Sequence, residues 1–152
     1  MIRNKKSFNY KKLLLGVFVF ILISIGIVGY IFTEKFTNTA ESKPDFTLTA
    51  TDFIKEFQLN DSLANKKYTE KIVAINGSIS EVETADTNAN IKFTDTLTGD
   101  YIIFAFQQQH LAAAKKLQQV QQVSIKGSCS GGTYSEILGI KYISFKRAAL
   151  NN

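Results

Sequence analysis

The chain has 152 residues, a formal net charge of +5 and a single cysteine and histidine. The excess of positive charge lies in residues 1–40, which hold six Lys and Arg against one Glu, whereas residues 41–152 hold twelve basic and twelve acidic residues. The larger part is therefore neutral and lacks the electrostatic footprint of a typical nucleic-acid-binding domain. One cysteine excludes an intrachain disulfide.

Residues 13–32 form an apolar segment, LLLGVFVFILISIGIVGYIF, without a charged residue. As an α-helix it would reach about 30 Å, the thickness of the bilayer hydrocarbon. We therefore predict a single transmembrane helix over 13–32, preceded by a basic cytoplasmic leader over 1–12. Five basic residues precede the segment, so the positive-inside rule places the following domain on the extracytoplasmic (periplasmic) side of the cell membrane. A basic leader before an apolar run also describes a cleaved signal peptide, which stays the competing interpretation.

Residues 33–45 are polar and contain the only proline, which favours a linker to a domain over 46–152. That domain begins with two short predicted helices. Thr49 to Asp52 fits a capping box before apolar residues at helical spacing. Asn60 is predicted to cap a second helix over 62–68.

From residue 71 the hydrophobic pattern alternates, which is typical of half-buried strands. Five strands are predicted, at 71–82, 91–94, 101–106, 123–129 and 137–145. Residues 107–119 are rich in helix formers and predict a helix between the third and fourth strands. This order is that of an OB barrel. The predicted fold is therefore all-β, a five-stranded OB-fold barrel with a short helical N-terminal lead, preceded by one transmembrane helix.

Two short motifs stand out, Ala-Asn-Lys-Lys-Tyr at 64–68 and Gly-Ser-Cys-Ser-Gly at 127–131. With the segments 57–60 and 73–77, they resemble the bacterial OB-fold family named for its likeness to tRNA-anticodon-binding domains (tRNA_anti-like), over roughly residues 47–145. The resemblance implies an OB fold in an exported or membrane-tethered envelope protein and implies no established activity. Family members often have a second cysteine in the last strand, where this chain has 142–145. The matching positions are Ala64, Asn65, Lys66, Lys67, Tyr68, Lys71, Gly77, Gly127, Cys129 and Gly131.

The motif at 64–68 admits a functional and a structural interpretation. In the first, its lysines and Lys71 form a cationic patch for an anionic group. In the second, which we favour, Ala64 and Tyr68 dock the helix, Asn65 hydrogen-bonds a loop and the lysines are solvated. Cys129 is likewise interpreted as a small buried apolar residue, because it lies in an alternating strand.

OB domains bind ligands through the face of the second and third strands and the adjoining loops. An outward aromatic beside an aliphatic residue on that face favours a protein contact. We therefore expect a protein-interaction or structural element of the cell envelope. The alternative is a module that binds an oligonucleotide or oligosaccharide, of which nucleic acid is the weaker choice because the face has few lysines and the chain has no Trp. The candidate contacts are Lys92, Thr94, Tyr101, Ile103 and Tyr134.

The sequence contains no nucleophile elbow, P-loop or metal-ligand spacing. The carboxylates Glu81 and Glu83 share one strand face, but a solvated strand edge favours a role in solubility over acid–base chemistry. We therefore expect a protein that is not an enzyme, with no catalytic residue, metal or cofactor. The sequence leaves the oligomeric state open.

Overall fold

The computed structural model describes residues 10–33 and 38–151. The chain divides into two compact units, with the boundary between residues 36 and 37. Most of the predicted basic leader, residues 1–9 of 1–12, lies outside the described residues, and so do residues 34–37 of the predicted linker.

The first unit contains helix α1, Tyr10–Thr33, so the helical prediction for 13–32 is confirmed. The prediction that this helix crosses a membrane is not confirmed. A span requires about 20 apolar residues in one helix. Across the described residues, no helix combines the length and the hydropathy that such a span requires. The predicted transmembrane helix is therefore wrong for the structure as described.

In the second unit the described residues form seven strands and three α-helices, with a 3₁₀ turn at Gln108–His110. The strands make one mixed sheet in the order β1-β2-β6-β7-β5-β4-β3, in which the pairs β1–β2 and β5–β7 are parallel. The elements are β1 Phe46–Thr49, α2 Ala50–Leu59, α3 Asp61–Tyr68, β2 Ile72–Ser78, β3 Glu81–Thr84, β4 Ala89–Thr94, β5 Tyr101–Phe106, α4 Leu111–Ala114, β6 Gln122–Ser135 and β7 Ile140–Leu150.

The all-β, five-stranded barrel predicted from the sequence is wrong. Among the described residues the sheet has seven strands, combines parallel with antiparallel pairs and is not closed, and helices accompany it. Residues Phe46–Thr49 form an additional strand, β1, which pairs with β2. This strand was not predicted, because its four residues are too few for an alternating pattern to be distinguished from the start of a helix. The predicted first strand is also two strands. The Ile79 N–H donates to the Gln121 carbonyl and the Ser80 N–H to the Lys92 carbonyl, so the chain changes partner from β6 to β4 at this point. Residues 72–84 thus pair first with β6 and then with β4, and this order of strand pairing is that of an OB-type fold.

Other predicted boundaries in the C-terminal half also move. Residues 130–133, which lie in the gap between the fourth and fifth predicted strands, are part of β6, where register shifts between Cys129 and Gly131 absorb the glycines as a bulge. The turn instead follows Ser135, whose carbonyl accepts the Gly139 N–H at 2.8 Å. Residues 146–150, beyond the last predicted strand, continue β7, and the predicted helix over 107–119 is reduced to the 3₁₀ turn and α4.

The predicted helix starts are confirmed. The Thr49 hydroxyl accepts the Asp52 N–H at 3.2 Å, and the Asn60 side-chain carbonyl accepts the Leu63 N–H at 3.0 Å. These caps satisfy backbone donors that have no partner within their helices. Helix α2 then lays its aromatic face on the sheet, where Phe53 is fully buried.

Residues 38–45, within the predicted linker, belong to the second unit and pack against its 3₁₀ turn and sheet. Thr39 is 1 % exposed, and the side-chain amide oxygen of Asn38 is 3.1 Å from the His110 ring. The buried Lys126 ammonium donates to the Ser42 carbonyl at 3.1 Å. Asp45 accepts the Ile72 N–H at 2.9 Å and thereby fixes the approach to β1.

Candidate binding face

Four of the five candidate contacts lie side by side on one face of the sheet. Lys92 of β4 is directly opposite Ile103 of β5, and Thr94 is opposite Tyr101. Directly paired residues share a face and lie within contact distance. We call Lys92, Thr94, Tyr101, Ile103 and Tyr142, which joins them through β7, the binding face.

Tyr142 was not identified from the sequence. It is paired with Tyr101 across the parallel strands β5 and β7, and the two rings are stacked, with centroids 5.7 Å apart and planes inclined by 15°. Both tyrosines are partly exposed. The alternation around the buried Ile143 and Phe145 would have placed Tyr142 on the outer face. Nothing local to the sequence indicates that β7 runs beside β5.

The cation of the binding face is neutralised by two neighbours on β3. The Lys92 ammonium is 3.0 Å from Glu81 and 2.5 Å from Glu83, and it lies 5.6 Å from the centre of the Tyr101 ring. The hydrogen bond from Lys92 lowers the pKa of the Glu83 carboxyl, and the same bond raises the pKa of Lys92. One cation and two anions leave this corner with an excess of negative charge.

Tyr134 lies elsewhere. It is paired with Lys141, whose ammonium donates to the Phe57 carbonyl at 2.8 Å and is 3.2 Å from Asp61. Lys141 thus faces helices α2 and α3. Because neighbouring strand residues point to opposite faces, Tyr134 and Tyr142 lie on opposite sides of the sheet. Tyr134 is 59 % exposed and is not part of the binding face.

The motifs at 64–68 and 127–131 meet each other instead of forming a ligand surface. The Asn65 side-chain oxygen accepts the Gly132 N–H at 2.9 Å, and its amide donates to Asp61 at 3.2 Å. Gly131 has a φ of +99°, and a Cβ there would lie 2.5 Å from that Asn65 oxygen. Asn65 therefore holds α3 on the bulge of β6, and we call this contact the motif joint.

The remaining motif residues around the helix also agree with the structural interpretation. Ala64 and Tyr68 are buried, and the Tyr68 hydroxyl donates to Glu56 at 2.9 Å. Lys67 forms an ion pair with the same carboxylate at 2.9 Å, whereas Lys66 is exposed. Burial raises the pKa of the Tyr68 hydroxyl. Tyr68 thus anchors α3 in the core, and the charge of Lys67 is neutralised by Glu56.

The other motif positions are set by close packing in the sheet. Cys129 is fully buried, and burial raises the pKa of its thiol to about 11. A thiol with such a pKa is not a nucleophile at neutral pH. A Cβ at Gly127 would lie 3.2 Å from the Phe145 ring. Lys71 is exposed, and its carbonyl accepts the Cys129 N–H at 3.0 Å.

Within the part of the chain that the structure describes, no cluster of three or more His, Cys, Asp and Glu side chains has the arrangement of a metal site. The arrangement of the binding face suits contact by ring surfaces and an aliphatic side chain. Its single lysine is held by two carboxylates and is not presented to an anionic ligand.

A family model described as tRNA_anti-like matches residues 7–138, and the chain belongs to this family. No curated protein matches the chain.

Solved structures with a similar fold include a lipoprotein of Klebsiella pneumoniae to which nucleic-acid binding is ascribed. It is 17 % identical, with a TM-score of 0.54, and the match covers 69 % of this chain and 91 % of that one. A protein assigned as an aspartyl-tRNA synthetase of Leishmania major is 8 % identical, with a TM-score of 0.46, and covers 68 % of this chain and 20 % of its own. An asparaginyl-tRNA synthetase of Pyrococcus horikoshii is 15 % identical, with a TM-score of 0.37, over 55 % and 20 % of the two chains.

Proposed function

We propose that the second unit is a binding module, not an enzyme, and that it contacts a protein partner of the cell envelope through the binding face. The observation that carries this proposal is the partly exposed Tyr101–Tyr142 stack beside Ile103. Tyrosine is enriched at protein interfaces, because it offers a large apolar ring with a polar tip at low cost in conformational entropy.

The charges on the binding face support a protein partner over nucleic acid. Single-strand binding combines stacking with free cations that neutralise phosphates. Here the Lys92 ammonium is bound by Glu81 and Glu83, and these carboxylates would repel a phosphate backbone. A protein partner does not require free cations on the binding face, and protein interfaces commonly have an apolar centre surrounded by a polar rim.

Photo-crosslinking in cells tests the proposal. A photoreactive phenylalanine analogue replaces Tyr101 in the full-length chain, and the matched control carries it in place of Tyr134, which is exposed on the opposite face. We expect a discrete protease-sensitive adduct from position 101 and none from position 134. In the 101 variant, Ile103→Ser is expected to reduce the adduct by about tenfold, since it removes the aliphatic contact. Equal adducts from both positions, or none from 101, would contradict the proposal.

A second candidate function is the binding of a short oligonucleotide or oligosaccharide on the same face. The stacked tyrosines favour it, since ring faces stack on bases and sugars alike, and nucleic-acid binding is ascribed to the similar Klebsiella lipoprotein. It predicts a nuclease-sensitive adduct at position 101. It also predicts salt-dependent binding of single-stranded oligonucleotides by the full-length chain below about 50 µM, which Tyr142→Ala would abolish.

We also propose that the second unit acts outside the cytoplasm. The support is the basic stretch before an apolar run in residues 1–32, which is the composition of an export signal. A reporter that is active only outside the cytoplasm, fused after Asn152, is expected to be active in cells. Exchange of Lys5, Lys6, Lys11 and Lys12 for Glu is expected to lower that activity several-fold. A reporter that stays silent in the unchanged chain would refute the export proposal.

A further inference from the structure

A cavity of about 410 Å³ lies beside the start of α2. Four segments of backbone meet there: the helix start at Thr49–Thr51, the end of β2 at Asn76–Ser78, the end of β4 and the start of β6 at Gln122. Its size is at the lower end of the range of roughly 300–1,000 Å³ for small-molecule sites. The lining residues are Thr49, Ala50, Thr51, Asn76, Gly77, Ser78, Phe93, Thr94 and Gln122.

The chemistry of the lining is polar and uncharged. Each of these nine residues is neutral, and six of them carry a hydroxyl or an amide. The hydroxyls of Thr49 and Thr94 are engaged, the first with Asp52 and the second with Ser80 at 2.7 Å. Within the described part of the chain, the other four polar side chains make no hydrogen bond and so present unpaired donors and acceptors to the cavity; they belong to Thr51, Asn76, Ser78 and Gln122.

One wall of the cavity is fixed by close packing at Gly77. A Cβ at this position would lie 2.9 Å from both the Ala50 Cβ and the Phe93 ring. The absence of a side chain therefore lets β2 approach the helix start and β4 closely. The strands β2, β4 and β6 and the helix start hold these polar side chains on rigid elements rather than on a loop.

The start of α2 does not turn the cavity into an anion site. The positive end of a helix dipole attracts anions, but Asp52 already places a carboxylate in this first turn. That carboxylate accepts a hydrogen bond from the Thr49 hydroxyl at 2.7 Å, and the same hydroxyl accepts the Asp52 N–H. An incoming anion would therefore meet a negative charge instead of a free helix terminus.

We propose that this cavity binds a small, neutral, hydroxyl-bearing ligand the size of one sugar ring. Hydroxyl groups both donate and accept, and they match the mixture of amides and hydroxyls in the lining. The site goes beyond the proposed function, because it shares only Thr94 with the binding face.

The test is a titration of the isotope-labelled, full-length chain with two pairs of sugars, followed by amide chemical shifts. Each pair sets a neutral sugar against a charged sugar with the same ring: N-acetylglucosamine with glucosamine, and glucose with glucose 6-phosphate. We expect saturable shifts at Thr51, Asn76 and Ser78 with at least one neutral sugar at millimolar concentration, and binding about tenfold or more weaker for its charged counterpart.

Two variants localise the binding. Gln122→Trp, at an exposed position on the cavity rim, is expected to remove the shifts by filling the cavity, whereas Gln108→Trp, exposed on the 3₁₀ turn, leaves them unchanged. Thr51→Gln is a second blocking variant should the tryptophan reduce the melting temperature. The proposal is overturned if neither neutral sugar shifts these amides up to about 50 mM, if the charged sugars bind equally well, or if both blocking variants keep the shifts.

Discussion

Exchange of Gly131 for alanine is expected to lower the free energy of unfolding by about 2–4 kcal/mol. Two effects combine at this position. Gly131 has a φ of +99°, which strains any residue with a Cβ, and that Cβ would lie 2.5 Å from the Asn65 side-chain oxygen. The clash would push apart the motif joint and weaken the bond between Asn65 and the Gly132 N–H. Urea unfolding of the full-length chain, followed by tyrosine fluorescence, measures the loss.

Gly139 supplies the matched control for Gly131. Its φ is also positive, at +68°, but a Cβ there would meet nothing within 4 Å. Gly139→Ala should therefore show only the backbone strain, about 1 kcal/mol. In an Asn65→Ala background the cost of Gly131→Ala is expected to fall, because the atom that the Cβ approaches has been removed. Equal losses for the two glycine variants would mean that the motif joint does not constrain Gly131.

Phe53→Ala is expected to destabilise the second unit by about 3–5 kcal/mol, the usual cost of removing a buried aromatic side chain. Phe53 is fully buried, and its ring is 5.1 Å from Phe57, 4.9 Å from Tyr68 and 5.6 Å from Phe145. It thus joins α2, α3 and β7, and its loss would leave a cavity where the three meet. The same unfolding experiment reports the change.

Leu59→Ala, also in α2, is the control for Phe53→Ala. Leu59 is 85 % exposed, so its truncation should change the free energy of unfolding by less than about 0.5 kcal/mol. A loss at position 53 that does not exceed the loss at position 59 would show that the aromatic cluster does not hold α2 on the sheet.

Features governed by neighbouring residues were predictable from the sequence. The caps at Thr49 and Asn60 depend on side chains within three residues of the donors that they satisfy, so the local pattern suffices. The alternation along β4 and β5 likewise placed Lys92 and Tyr101 on one outer face, which the pairing of these strands bears out.

Features that depend on distant pairing were not predictable from the sequence. Tyr142 becomes part of the binding face because β7 runs parallel to β5, a relation between segments about 40 residues apart. Gly131 and Gly132 look like turn residues but serve a bulge, which only the contact with Asn65 explains. Ile79 and Ser80 change strand partners without any break in the hydrophobic pattern.

The two carboxylates that pair with Lys92 also affect whether the sheet edges of two copies of this protein can pair. Among the described strands, β3 is paired only with β4 and ends the sheet, so its other edge offers unpaired backbone groups to any extended chain. Glu81 and Glu83 place two charged, partly exposed side chains on that short strand. A second copy that added its own β3 there would bring four carboxylates together. The carboxylates that neutralise Lys92 would therefore also oppose edge-to-edge pairing at β3 by like-charge repulsion.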